Sequence, residues 1–126
     1  MTTSESIEEF LKLTRSTGEC DEGPEVVLRR SVLTVRYDVE VESGRAWTTL
    51  LFAGAVALRI TPEPAVSAIA ASAYSKVVVV NNSKWLTALF GARGDGALPV
   101  GLKHFAVFFD HYGSVETIAR SCDVQE

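Results

Sequence analysis

The chain has 126 residues, 47% of them hydrophobic and 22% charged, which suits one domain and is too apolar for a disordered polymer. The net charge of −4 is uneven: residues 1–25 hold seven acids and two bases, a local −5, and the remaining 101 residues come to +1. Binding to phosphates requires clustered Lys and Arg, and no such stripe is present, so nucleic acid is not an expected partner. A basic protein partner fits better, because complementary charge speeds encounter.

The N-terminus is polar and acidic, the reverse of a signal peptide, and no apolar run approaches the roughly 18 residues needed to cross a bilayer. A cytoplasmic location without membrane contact is the default expectation. Cys20 and Cys122 lie near opposite ends of the chain and are read as two reduced thiols. They meet only if the termini do.

In chain order, the spacing first predicts an amphipathic helix. Ile7, Phe10, Leu11 and Thr14 fall at i, i+3, i+4 and i+7, Ser6 with Glu9 forms a capping box, and Gly18 is the natural C-cap. Glu19 to Pro24 reads as an acidic turn. From Val26 the period becomes two: Leu33, Val35, Tyr37, Val39 and Val41 alternate with Thr34, Arg36, Asp38 and Glu40, a strand with one wet face. Ser43-Gly44 supplies a turn, and a second strand is expected from Ala46 to about Ile60, with Gly54 marking a bulge or bend. The second parity of that strand carries Trp47, Thr49, Ala53, Ala55, Ala57 and Arg59, and its small residues suggest close cover by a helix or another strand.

Thr61-Pro62-Glu63-Pro64 ends the strand. Ala65 to Ala73 reads as a short helix or an ordered loop. Lys76 to Val80 reads as a buried strand, and Asn81-Asn82-Ser83 as the N-cap of a short helix from Lys84 to Phe90. Residues 91–101 hold four glycines and a proline and are expected to be a flexible loop. Lys103 to Phe109 and Ser114 to Arg120 form a closing hairpin around Asp110-His111-Tyr112-Gly113. The expected architecture over residues 1–126 is one α+β domain: a largely antiparallel sheet of about five to six strands, an N-terminal amphipathic helix and short helical segments.

Catalysis needs a convergent set of groups, and few candidates exist. His104 and His111 are the only histidines, lack a metal-ligand spacing with the cysteines, and point no metal or cofactor into the expected fold. His104, at a strand entrance, is read as packed and hydrogen-bonded. Asp110, His111 and Glu116 cluster around the last turn. A His between two carboxylates suits acid–base or ligand chemistry, and Asp and Gly are equally what a hairpin turn requires. Arg93-Gly94-Asp95 sits in a glycine-rich stretch without a phosphate-loop pattern and is read as loop.

Three stretches then take on meaning together. Phe52-Ala-Gly-Ala-Val-Ala-Leu-Arg-Ile-Thr61, Ala73-Tyr74-Ser75-Lys76 with Asn82-Ser83-Lys84-Trp85-Leu86, and Leu102-Lys103-His104-Phe105-Ala106-Val107-Phe108-Phe109-Asp110 with Gly113, Glu116, Ile118 and Ala119 are the motifs. They resemble those of a widespread set of small bacterial proteins, some regarded as immunity proteins against toxins. Ser75 stands where that pattern has Asp. The resemblance runs from Phe52 to Ala119 and implies no catalytic residue.

The leading expectation is therefore a cytosolic protein-binding domain, of the immunity-inhibitor type, without enzymatic activity. Its partner-facing charges would be Glu5, Glu8, Glu9, Glu19, Asp21, Glu22, Asp38 and Glu40. One alternative is a small-ligand or enzymatic domain built on Asp110, His111 and Glu116. The other is a subunit that self-associates as a homodimer, through an edge strand or the 91–101 loop.

Overall fold

The computed structural model describes residues 4–17, 23–91 and 100–126. Among them, nine strands dominate: β1 (Ser6–Lys12), β2 (Glu25–Arg29), β3 (Val32–Val41), β4 (Gly44–Ala53), β5 (Ala57–Pro62), β6 (Lys76–Asn81), β7 (Lys103–Phe109), β8 (Gly113–Ala119) and β9 (Ser121–Gln125). Two short helices, α1 (Ala68–Ala71) and α2 (Lys84–Phe90), and a 3-10 turn at Glu63–Ala65 complete the described elements. The strands pair antiparallel in two sheets, ordered β1-β6-β7-β8-β5 and β2-β3-β4-β9. The fold is thus an all-β, two-sheet arrangement, and the α+β expectation with five to six strands is corrected. Among the described residues, no helix is long and apolar enough to cross a membrane.

The expected N-terminal helix is a strand, β1, paired with β6 from Ser6↔Asn81 to Lys12↔Lys76. Its register shifts between Glu9 and Leu11. That bulge lets Ile7 reach one face of the sheet and Leu11 the other, and each packs on a different apolar cluster. A bulged strand covered on both sides thereby reproduces helical spacing without being a helix. The four valines of β6 supply the partner that tips the balance. Gly18, Glu19, Cys20, Asp21 and Glu22 lie outside the described residues.

Between the sheets, alternate residues of β3 and β4 (Leu33, Val35, Tyr37, Leu50, Phe52) meet Phe105, Val107 and Phe109 of β7, all essentially inaccessible. Two tilted or edge-on ring pairs span this core, Tyr37–Phe109 at 5.3 Å and Phe52–Phe105 at 5.5 Å between centroids. The far side of the five-stranded sheet carries a second cluster, Val78, Val80, Ala106 and Phe108, covered by Ala73 with Val66 and Ala71 from the α1 region.

The long strand expected from Ala46 to Ile60 is cut in two at Gly54, where the chain leaves one sheet for the other. Gly54 has φ +65°, and a Cβ there would lie 2.8 Å from the Arg120 side chain. Arg120 itself marks the crossing from β8 to β9, and its N–H donates to the Ala53 carbonyl at 2.9 Å. Val56 N–H donates to the Ile118 carbonyl at 2.8 Å on the next rung. Two paired strands therefore bend together from sheet to sheet, the usual device at a corner between stacked sheets.

Candidate functional site

Strand parity on β7 and β8 sorts the polar residues of the closing hairpin. Phe105, Val107 and Phe109 point between the sheets, which sends His104 and Ala106 to the opposite face. The register places Ala106 opposite Glu116, and Glu116 opposite Arg59 on β5. His104 is then one diagonal step from Glu116, within side-chain reach.

The side chains close that gap. His104 Nε2 lies 2.8 Å from Glu116 Oε1, while Arg59 grips the same carboxylate with two donors, Nε at 3.1 Å and Nη2 at 2.8 Å. On the other ring edge, Ser83 Oγ sits 2.7 Å from His104 Nδ1. Ser83 is the N-cap of α2, accepting the Leu86 N–H at 3.0 Å. An ionised Glu116 can only accept, so a ring with a single proton carries it on Nε2 toward Glu116, and Nδ1 then accepts from the Ser83 O–H. Trp85 stands edge-on to the imidazole at 5.1 Å, and the Arg59 guanidinium lies 4.5 Å above the same indole.

Burial pushes the Glu116 carboxyl up, but hydrogen bonds from His104 and Arg59, with their charges, outweigh it and hold it at about 2. A carboxylate this acidic, clamped by arginine, is a poor proton acceptor at neutral pH. The Ser83 hydroxyl is likewise committed to a cap and a ring nitrogen, and His104 is 2% exposed. We assign the row Ser83–His104–Glu116–Arg59 to bracing: it ties α2 to β5, β7 and β8. A cleft of about 680 Å³ opens above it, lined among others by Asn81, Ser83, Lys84, Thr87, Lys103 and His104.

On the same strand face as Glu116, Ser114 is fully buried, and its Oγ has no protein partner. Because an unpaired buried hydroxyl costs its desolvation, Ser114→Ala is expected to leave stability unchanged or raise it by up to about 1 kcal/mol. A urea titration checks this, and a clear loss would show that the hydroxyl is satisfied.

The structure divides the trio Asp110, His111 and Glu116. Glu116 belongs to the buried row. Asp110 and His111 stay on the turn, His111 at φ +69°, and meet Glu63 instead. The Glu63 carboxylate accepts the His111 backbone N–H, and His111 Nε2 lies 3.6 Å from Asp110 Oδ2. Glu63, Asp110 and His111 bring ligand atoms within 4.8 Å of one another, a donor set suited to a divalent ion. The imidazole is 80% exposed, so this group is a solvent-facing turn.

The candidate partner-facing acids do not form one patch. Glu8 and Glu9 are exposed on β1, at the edge of the five-stranded sheet, and Glu5 accepts the Lys84 N–H at 2.9 Å. On the other sheet Glu40 is exposed, but Asp38 is 5% exposed and held by Arg45 at 2.5 Å. Glu19, Asp21 and Glu22 lie outside the described residues. Cys122 is buried without a disulfide, and burial, with Asp123 beside it, pushes its thiol up to about 12. Cys20 lies outside the described residues.

The outward face of the four-stranded sheet was missed as a site. The second parity of β4 implied a covering element, yet Val27, Val32 and Trp47 remain 54%, 39% and 41% exposed there, beside Ala53 and half-buried Leu51. Arg36 lies over the Trp47 ring at 4.3 Å, with its guanidinium 3.4 Å from Glu25. The signal available in sequence was the aromatic and aliphatic content of a parity that should otherwise be polar.

Fold and surface together define a two-sheet β protein with one outer sheet face covered by its own helical segment and the other covered by no described element. No protein-family model, curated protein or solved structure matches the chain.

Proposed function

We propose that this chain is a protein-binding domain that docks its partner on the open face of the β2-β3-β4-β9 sheet. The observation that supports it most is Trp47: a large aromatic, 41% exposed, with Arg36 stacked over its ring, on the same sheet face as Val27, Val32, Leu51 and Ala53, which cluster further along the strands. Trp and Arg are among the residue types that most often carry binding energy. Two charge pairs on this face are matched internally, Arg36 with Glu25 and Arg45 with Asp38. Binding through it is therefore mainly apolar and only weakly sensitive to salt, and Glu8 and Glu9 on β1 would contribute to encounter rate.

An immunity-type inhibitor that occludes a toxin is the form of this reading suggested by the motifs between Phe52 and Ala119. Affinity capture from a native lysate, at low and high salt, names the partner, and Trp47→Ala then tests the face. The expected result is at least a tenfold loss of affinity, against a change of about threefold or less for Glu8→Lys with Glu9→Lys at high salt. Equal affinity of wild type and Trp47→Ala would remove this surface from the reading.

A further inference from the structure

Every open sheet in this protein ends in strands with unpaired backbone groups, a standing invitation to pair with another chain. Three of the four edges carry protection. β1 has its bulge together with Glu8, Glu9 and Lys12, β5 ends in Pro62, and β9 places Asp123 at its centre. β2 is the least protected: it has no bulge or proline, its charges Glu25 and Arg29 stand only at its two ends, its five residues, Glu25-Val26-Val27-Leu28-Arg29, pair with β3 in unbroken register, and no described strand lies on the other side.

The sequence of β2 is complementary to itself when reversed. In an antiparallel pairing centred on Val27, Glu25 falls opposite Arg29 of the second copy, Val26 opposite Leu28, and Val27 opposite Val27. Opposite charges and branched apolar residues at directly facing positions are the stabilising cross-strand pairs. Under two-fold symmetry the Glu25–Arg29 pair forms twice. Burial points the same way. Leu28 faces Leu33, a fully buried residue, so it has inward parity, and yet 45% of it remains exposed because the sheet stops there. Val27, on the outward face, is 54% exposed.

We propose that β2 pairs antiparallel with β2 of a second copy of this chain, about a two-fold axis at Val27. The product is a continuous eight-stranded sheet, two copies of the four-stranded one joined edge to edge. Its outward face carries both Trp47 residues, so self-association extends the proposed docking face without occupying it.

Sedimentation equilibrium on the intact protein tests this. A short edge-to-edge contact is weak, so the 13.6 kDa chain is expected to double its mass with a dissociation constant between about 1 and 100 μM. Glu25→Arg sets Arg against Arg29 at both facing positions, and Arg29→Glu sets Glu against Glu25. Each alone is expected to weaken the dimer about tenfold or more. Mixed in equal amounts, the two variants regain complementarity at both positions and are expected to form a 1:1 heterodimer as tight as wild type. Circular dichroism confirms folding, and Val27→Lys, which brings two ammonium groups together on the axis, replaces either variant that fails to fold. A wild type that stays monomeric, variants that dimerise unchanged, or a mixture that does not recover would each overturn the proposal.

Discussion

Replacing Glu116 by Gln is expected to lower stability at pH 7 by about 3 kcal/mol, which for a chain of this size is a drop of roughly 10 °C in Tm. The estimate follows from linkage. The carboxyl titrates at about 2 in the folded protein against an ordinary value of 4.5, so the folded state holds its ionised form more tightly than the unfolded chain does. That stabilisation is complete above pH 4.5 and disappears as the pH falls toward 2. Wild type and Glu116→Gln should therefore differ most at neutral pH and converge between pH 4.5 and 2. Two denaturation curves that stay parallel across this range would show that the carboxylate charge is not what the row uses. An Arg59→Met background should shrink the effect of Glu116→Gln, because the two side chains share two hydrogen bonds.

How much of this could be read from sequence depended on whether the signal was local. The β3–β4 hairpin and the β7–β8 hairpin followed from period-two alternation with turn residues between, and α2 followed from Ser83 as N-cap and Gly91 as C-cap. β1 failed because pairing with β6 is a contact between residues about 70 positions apart, and its bulge copied a helical period. β2 was absorbed into the start of β3 because its two-residue turn is Arg30-Ser31. Both adopt positive φ, 52° and 63°, a conformation that Asn and Gly usually announce. β9 was invisible for a further reason: five mixed residues at the chain end become a strand only because β4 offers its edge, from Thr49↔Gln125 to Ala53↔Ser121.

The buried row shows the same division. Ser83 was legible as a cap and His104 as a packed, hydrogen-bonded histidine, each from its immediate neighbours. Their meeting was not, since it needs α2 laid against β7. Glu116 was grouped with Asp110 and His111 because they are close in sequence, whereas strand parity separates them: Glu116 shares a face with Ala106, its register partner, and the turn residues lie beyond the strand end. Arg59 was passed over as the polar member of a strand alternation, although the register that pairs it with Glu116 is what makes it a counter-ion.

Gly113→Ala is expected to cost at least about 3 kcal/mol, and its contrast with Gly44→Ala shows why. Both glycines open the second strand of a hairpin at positive φ, 125° and 127°. At Gly44 a Cβ would meet nothing within 4 Å, so alanine there adds only conformational strain, about 1–2 kcal/mol. At Gly113 the same Cβ would run into the Thr61 carbonyl oxygen and lie 2.9 Å from Glu63 N, and these are backbone atoms that cannot rotate aside. Relief requires β5 and β8 to separate at their Pro62↔Gly113 end. That movement also carries Glu63 away from His111, so the His111 amide should lose protection from hydrogen exchange along with global stability. Equal losses for the two alanine variants would mean that the close β5–β8 contact is soft, and that the turn holding Asp110 and His111 is positioned by something other than this glycine.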